Sequence, residues 1–264
     1  MTDVQDTARP AQEQTDQALQ RFADRFSSPR RSPVPHWPSE HGLDYADITF
    51  PARDGVPIEG WFIPASGSGK LTIANHPLGS SRSGIPTHLQ PRHADWALSG
   101  NGFEVDLVPD YKILHDAGYN VLAYDLRNHG LSSAANGGVV THGFTESRDV
   151  DGSLAYARTR PDTRDMMIGL FSRCMGAAST LAAMTRYPAA FDAVRCLVAP
   201  QPVTPRYITE RRCSTFRTAH VLIYVQSSGA SRGLGRSGPA VFVPAALRGA
   251  SAARRLTDGR ELEA

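Results

Sequence analysis

The sequence has few of the features that mark secreted, membrane-spanning or metal-binding proteins. Its 264 residues include three cysteines, an odd number at spacings that match neither a disulfide framework nor a zinc site. No apolar run approaches the roughly 18 residues that span a bilayer. The polar start of the chain, MTDVQDTARPAQEQTDQ, lacks the apolar core of a secretion signal. We therefore expect a cytoplasmic protein with no membrane partner.

The charge of the chain is nearly balanced. Its formal net charge is +2, and the basic residues do not gather into one stripe with interleaved aromatic residues. This distribution gives no reason to expect a nucleic-acid partner. Lysine is scarce, with two lysines among the 28 lysines and arginines. Such a bias is typical of a GC-rich gene.

Apolar patterning divides the chain into three parts. Residues 1–44 are predicted to be a disordered segment followed by a short helix, because Ala18, Leu19, Phe22 and Phe26 fall at helical spacing. Residues 45–205 carry short apolar runs separated by turn residues and are predicted to form the core domain. Residues 206–264 form an atypical tail rich in arginine, alanine and glycine.

The core domain is predicted to alternate strands with helices. A hairpin turns at Arg53-Asp54-Gly55, since Asp-Gly between alternating runs is a strong hairpin signal. Strands that alternate with helices imply a mostly parallel sheet covered on both faces. The later predicted segments are the strand LTIAN, a helix over 104–118 closed by Gly118, the strand YNVLAY, a helix in ESRDVDGSLAYARTRP, the strand MMIGLF, the helix MGAASTLAAMTRYP and the strand AVRCLVAP.

Cys174 falls where the chain changes from strand to helix, in GLFSRCMGAAST. A residue at such a turn stands above the carboxyl edge of the sheet, beside the free N–H groups that begin the helix. These groups favour an anion, so they lower a thiol's pKa and also stabilise an oxyanion. Small neighbours, Gly176 and Ala177 among them, suit a tight turn. Cys174 is therefore placed as a nucleophile would be, although a buried small hydrophobe is the alternative.

From about Tyr45 to Pro200 the sequence resembles the α/β-hydrolase superfamily. The pentapeptide Ser172-Arg173-Cys174-Met175-Gly176 is similar to the G-x-S-x-G elbow, with Ser for the first Gly and Cys for the nucleophilic Ser, as in dienelactone-hydrolase-like members. The hairpin, the segment His76-Pro77-Leu78-Gly79 and the segment YDLRNHGLSS stand in the superfamily's order. The resemblance implies a mostly parallel sheet with helices on both faces.

The HPLG segment resembles the superfamily loop that supplies the second oxyanion donor. Pro77 has no N–H, so the resemblance assigns this role to the backbone of Leu78, paired with that of Met175. The alternative is that His76 and its neighbours form only a tight exit loop. In the next exit loop, Asp125, Arg127 and Asn128 are expected to fix loop geometry.

A long connection, SSRSGIPTHLQPRHADWALSGNGFE, is expected to form a wall or lid over Cys174. Its residues His88, His93 and Trp96 could line a substrate pocket, and surface exposure is the alternative. Of the other cysteines, Cys196 is expected in the core and Cys213 has no assigned role.

The superfamily places an acid and then a histidine after the nucleophile. Only His220 follows Cys174, in HVLIYVQSSG, which has the pattern of a strand. No acid in this part of the chain has a convincing position. The acids after the elbow are Asp192, Glu210, Asp258, Glu261 and Glu263.

The tail composition suggests why the acid and histidine are missing. From Arg211 to the end there are nine arginines and no lysine, and the only acids fall within the last seven residues. We infer that a shifted reading frame replaced the superfamily's last strands. A divergent or disordered basic tail is the alternative.

Together these features predict a hydrolase of an ester, thioester or lactone that acts through a cysteine acyl intermediate. Its partner is a small acyl substrate, and no cofactor is implied. An acyltransferase on the same fold, or a truncated remnant without catalysis, is the alternative, because fold and elbow do not define the reaction.

Retranslation of the gene tests the inferred frame shift. Beyond about codon 205, one of the other two frames is expected to encode a strand followed by Asp and a later loop containing His. If neither frame encodes them, the tail is in its native frame.

Overall fold

The central sheet is the main element of the fold. The computed structural model describes residues 27–87 and 103–203, positions 17, 20, 23 and 24, and the pair 241–242. The predicted apolar positions of the first helix, Ala18, Leu19, Phe22 and Phe26, lie outside the described residues. None of the helices in the described ranges has the length and apolarity needed to cross a bilayer.

The fold consists of nine strands and three α-helices with full bounds in the described residues. The strands are β1 (Ala46–Pro51), β2 (Pro57–Ile63), β3 (Lys70–Asn75), β4 (Gly84–Ile85), β5 (Val105–Asp106), β6 (Asn120–Tyr124), β7 (Met167–Ser172), β8 (Val194–Val198) and β9 (Val241–Phe242). The helices are α1 (Val108–Asp116), α2 (Ser147–Thr159) and α3 (Met175–Arg186).

Seven of these strands form one sheet in the order β1-β2-β6-β3-β7-β8-β9. The predicted hairpin is confirmed: β1 runs antiparallel to β2, and β2 runs antiparallel to β6. From β6 onward, neighbouring strands are parallel. The sheet continues past Val198 through the two-residue strand β9. Parallel strands place their carboxyl ends at one edge, where β3 and β7 end side by side at Asn75 and Ser172.

Side chains of the strands point alternately to the two faces of this sheet, and helices pack on both faces. Leu71 and Ile73 of β3 pack in a cluster with residues of α2 and α3. On the other face, Ala74 packs with residues of α1, and this second cluster also includes Leu43. Leu43 is only 2% exposed. Part of the segment before residue 45 therefore packs against the core.

Helix α1 begins later than the apolar pattern predicts. The expected start was residue 104, but Val105 and Asp106 pair with Gly84–Ile85 as β5. The Asp106 carboxylate then accepts a hydrogen bond from the Val108 N–H at 2.9 Å. The predicted end is confirmed, since Gly118 adopts φ +80° just after the helix.

Helix α2 and the β1–β2 hairpin approach each other closely at Gly152. A Cβ built on Gly152 would lie 2.7 Å from both the Ala52 Cα and the Pro51 oxygen. Gly152→Ala is expected to lower the free energy of unfolding by about 1–3 kcal/mol through overpacking, despite the better helix propensity of alanine. Urea unfolding measures this loss. Gly69→Ala is the control, because its Cβ would meet nothing within 4 Å. Equal stabilities of the two variants would contradict the close approach.

Candidate active site

Cys174 occupies the break between β7 and α3. Its backbone lies at φ 50° and ψ −111°, a sparsely populated conformation for a residue with a side chain. Neighbouring segments hold it there. The Cys174 N–H donates to the Pro200 oxygen at 3.0 Å, and the Cys174 oxygen accepts from the Ala178 N–H at 3.0 Å. The turn is therefore a strained elbow that presents its side chain at the carboxyl edge of the sheet.

Gly176 lets the start of α3 approach the end of β3. A Cβ at this position would lie 2.7 Å from the Asn75 oxygen. The Gly176 N–H donates to the His76 oxygen at 3.2 Å, and the Arg173 N–H donates to the Asn75 oxygen at 2.9 Å. The turn at Cys174 is thus attached to the first residues of the HPLG loop.

A buried polar network beneath the elbow was missed by the sequence analysis. The Asn75 amide donates to the Ser172 hydroxyl at 2.8 Å, and Ser172 shares a hydrogen bond with the Thr180 hydroxyl at 2.8 Å. The Tyr124 hydroxyl donates to the Asn75 amide oxygen. Ser172 stands where the superfamily usually has glycine, so its hydroxyl links β3, β7 and α3. A serine at this position and an asparagine at the end of LTIAN were the available signals.

The three residues predicted for the site come together. The backbone N–H groups of Leu78 and Met175 both donate hydrogen bonds to the Cys174 sulfur. Gly79 follows with φ +69°, which turns the loop at a position where glycine is favoured. The HPLG loop therefore faces the elbow, and the N–H groups of Leu78 and Met175 could also donate to a carbonyl oxygen.

The pKa of the Cys174 thiol differs from the sequence-based expectation. The helix N-terminus was expected to lower it. Burial of this partly buried side chain instead raises the pKa of the thiol above its ordinary value, although the hydrogen bonds from Met175 and Leu78 act in the opposite direction. Loss of solvation opposes the charged form more strongly than two N–H groups favour it. The resting residue is a thiol at neutral pH.

His76 is a structural part of the loop and cannot serve as the base for Cys174. Its Nε2 accepts a hydrogen bond from the Leu126 N–H at 2.9 Å, so Nδ1 carries the proton and donates to the Pro77 oxygen at 2.7 Å. Complete burial lowers the pKa of His76 to about 4. His129 lies beside it, with ring centroids 5.1 Å apart, and burial lowers its pKa to about 3. Both rings are neutral.

The β6 exit loop has the geometric role predicted for it. The Asp125 carboxylate accepts from the Leu131 N–H at 2.8 Å and pairs with the buried guanidinium of Arg82 at 2.8 Å. The Arg127 side chain pairs with Asp149 and Asp54. Asn128, at φ 65°, donates to the Val139 oxygen and accepts from the Ala135 N–H. These side chains serve to hold the loop in place.

Two residues singled out in the sequence lie away from the site or from the core. Cys196 was expected in the core, but it is exposed. The pairing of β8 with β7 shifts register between Val194 and Cys196, so simple alternation does not predict which side chains are covered. Val194 and Leu197 are buried, whereas Arg195 and Cys196 are exposed. Asp192 precedes β8 and therefore lies at the amino edge of the parallel strands, opposite Cys174. Outside the described residues are His88, His93, Trp96, Glu210, Cys213, His220, Asp258, Glu261 and Glu263.

Comparisons with known proteins agree with this geometry. The family model for serine aminopeptidases, S33, matches residues 110–227. The esterase Pf2001 of Pyrococcus furiosus is similar in two crystal forms: in one it is 26% identical with a TM-score of 0.52, covering 73% of this chain and 62% of the esterase. In the other it is 25% identical with a TM-score of 0.51, covering 66% of this chain and 58% of the esterase. No curated protein matches the sequence.

The sheet order, the strained elbow and the facing loop define an α/β-hydrolase fold. The chain belongs to the α/β-hydrolase superfamily. It spans about three fifths of the length of the esterase it matches, at 58% and 62% in the two crystal forms. The family-model match extends to residue 227, beyond the predicted end of the core at 205.

Thiol alkylation tests the effect of burial on Cys174. At neutral pH, iodoacetamide is expected to label Cys174 more slowly than the exposed Cys196, because burial keeps Cys174 protonated and limits access. The rate for Cys174 should rise as the pH increases through its raised pKa, where thiolate forms. Peptide mapping over time measures both rates, and the unfolded chain is the control in which they converge. Faster labelling of Cys174 at neutral pH would mean that the helix N-terminus outweighs burial.

Proposed function

We propose that this chain is a hydrolase of an ester, thioester or lactone that acts through an acyl intermediate on Cys174. The observation that carries the proposal is the convergence of the Leu78 and Met175 N–H groups on the Cys174 sulfur. When the sulfur attacks a carbonyl carbon, the carbonyl oxygen can take up the same two hydrogen bonds. They strengthen as negative charge develops on that oxygen. The similarity to the Pyrococcus furiosus esterase supports an ester substrate.

The proposed reaction has two steps. In the first, a bond forms between the Cys174 sulfur and the acyl carbon, the bond to the alcohol or thiol breaks, and the thiol proton ends on that leaving group. In the second, water attacks the thioester carbon, the carbon–sulfur bond breaks, and the acid leaves as the thiol regains a proton. No step changes an oxidation state.

Within the part of the chain that the structure describes, the proposed site includes no proton acceptor for this thiol. His76 is excluded by its two hydrogen bonds, and His220 lies outside the described residues. General acid–base assistance typically accelerates such steps about 10²–10⁴-fold. We therefore expect the chain to acylate slowly and then to stall, since hydrolysis of the thioester also needs an activated water.

A chromogenic short-chain ester tests the proposal. Mixing the chain with p-nitrophenyl acetate should release about one equivalent of nitrophenol per thiol site, followed by much slower turnover. The acylation rate should rise with pH as Cys174 ionises, because its pKa is raised. Mass spectrometry of peptides should find the acetyl group on Cys174, and Cys174→Ala should abolish the burst. Cys196→Ser is the matched control, since it removes an exposed thiol on β8 and should leave the burst unchanged.

Other outcomes separate the alternatives. Faster release of the acyl group when an alcohol or amine is added would identify an acyltransferase. Absence of both burst and adduct would identify a remnant without catalysis. A burst that persists in Cys174→Ala would exclude Cys174 as the nucleophile.

A further inference from the structure

Residues 31–36, here called the strap, lie across the loop that carries Leu78. The Ser32 hydroxyl donates to the Gly79 oxygen at 2.5 Å. The Ser81 hydroxyl donates to the Pro33 oxygen at 2.8 Å, and the His36 N–H donates to the Ser83 hydroxyl at 3.0 Å. Three hydrogen bonds therefore attach the strap to one short stretch of the loop.

The strap also reaches the β6 exit loop. The Arg31 guanidinium donates to the Ser132 oxygen at 2.6 Å and to the Gly130 oxygen at 3.2 Å. The same exit loop is attached to the Leu78 loop through the pair of Asp125 and Arg82. The strap is thus a second connection between the two loops.

Ser32 makes the strap contact nearest to the proposed oxyanion donor. Its side chain is buried, with the residue 1% exposed, so its hydroxyl has no competing solvent. Gly79, its acceptor, directly follows Leu78. The turn from Pro77 to Ser80 is otherwise closed by a long hydrogen bond of 3.3 Å between the Ser80 N–H and the Pro77 oxygen. The Ser32 bond holds the oxygen of the Gly79–Ser80 peptide group, and the N–H of that group donates to the Pro77 oxygen. The Pro77–Leu78 peptide group, which carries the Leu78 N–H, is thereby restrained as well.

We propose that Ser32 is a positioning residue that keeps the Leu78 N–H directed at the oxyanion. It acts through the Leu78–Gly79 turn and contacts no substrate. The inference rests on the proposed function, because the orientation of Leu78 matters only if charge develops on an acyl oxygen. Without the Ser32 bond, the turn can rotate and the Leu78 N–H loses its alignment. Misalignment of this donor removes more stabilisation from the transition state than from the resting thiol.

Acylation kinetics test the role of Ser32. Ser32→Ala is expected to lower the burst rate constant for p-nitrophenyl acetate by about 10-fold, with little change in the substrate concentration at half-maximal rate. Ser28→Ala is the matched control, because Ser28 lies only four residues before Ser32 and its side chain is exposed. The Ser28→Ala variant should give the same burst as the unaltered chain. Thermal unfolding of each variant measures how much of it is folded.

Alkylation separates positioning from a general structural effect. Iodoacetamide reacts with the Cys174 thiolate without forming an oxyanion, so the limiting rate at alkaline pH should be the same in Ser32→Ala and in the unaltered chain. Equal losses in acylation and alkylation would overturn the inference, since they would mean that Ser32 only supports the fold. If Ser32→Ala does not fold, Ser81→Ala removes the strap bond to Pro33 and undergoes the same comparison.

The two proposals fail in different ways. If the unaltered chain gives no burst, the proposed function fails and the inference fails with it. If the unaltered chain gives a burst and Ser32→Ala acylates equally fast, the inference alone is overturned.

Discussion

The close contact between Gly176 and the backbone of Asn75 is the constraint on which the candidate site depends. It allows the first turn of α3 to press against the last residue of β3. The Gly176 N–H then reaches the His76 oxygen, so the turn at Cys174 and the HPLG loop form one unit. A side chain at position 176 would separate them and move the Leu78 and Met175 N–H groups apart. The absence of one methyl group therefore sets the geometry of the whole site.

Burial has two opposite effects on the chemistry at Cys174. It raises the pKa of the thiol, and it also keeps His76 and His129 neutral, so the resting site carries no ion pair between thiolate and imidazolium. The same low polarity strengthens each hydrogen bond to a developing oxyanion. A site of this kind stabilises charge that forms during the reaction better than charge that is present beforehand. In the proposed reaction, such a site depends strongly on a base that removes the Cys174 thiol proton as the sulfur attacks the acyl carbon.

Local patterns in the sequence were enough to predict most of the fold. Alternation in β1 and β2, the Asp-Gly turn and the small residues after Cys174 each follow from short-range sterics, and the structure has the corresponding elements. The Leu78 assignment came from family resemblance together with the missing N–H of Pro77. What could not be predicted depends on distant partners. Asn75 and Ser172 are 97 residues apart in sequence, and nothing near either one indicates that they share a hydrogen bond.

Burial of individual side chains was also beyond the sequence. Cys196 is exposed although Val194, two residues earlier, is buried, because the pairing of β8 shifts register between them. The pKa of Cys174 was misjudged for a related reason. A helix N-terminus is visible in the sequence, but the burial of the thiol arises only in the folded chain.

The long sequence separations within the strap have a consequence for the order of folding. Ser32 is 47 residues from Gly79, and Arg31 is 101 residues from Ser132. During synthesis the strap emerges before all of these partners. Gly79 follows before β6 is made, and Ser132 follows only after β6. Contacts between such distant residues form late, because the intervening chain must close a long loop first. The strap is thus made before its partners but is among the last segments to reach its final place.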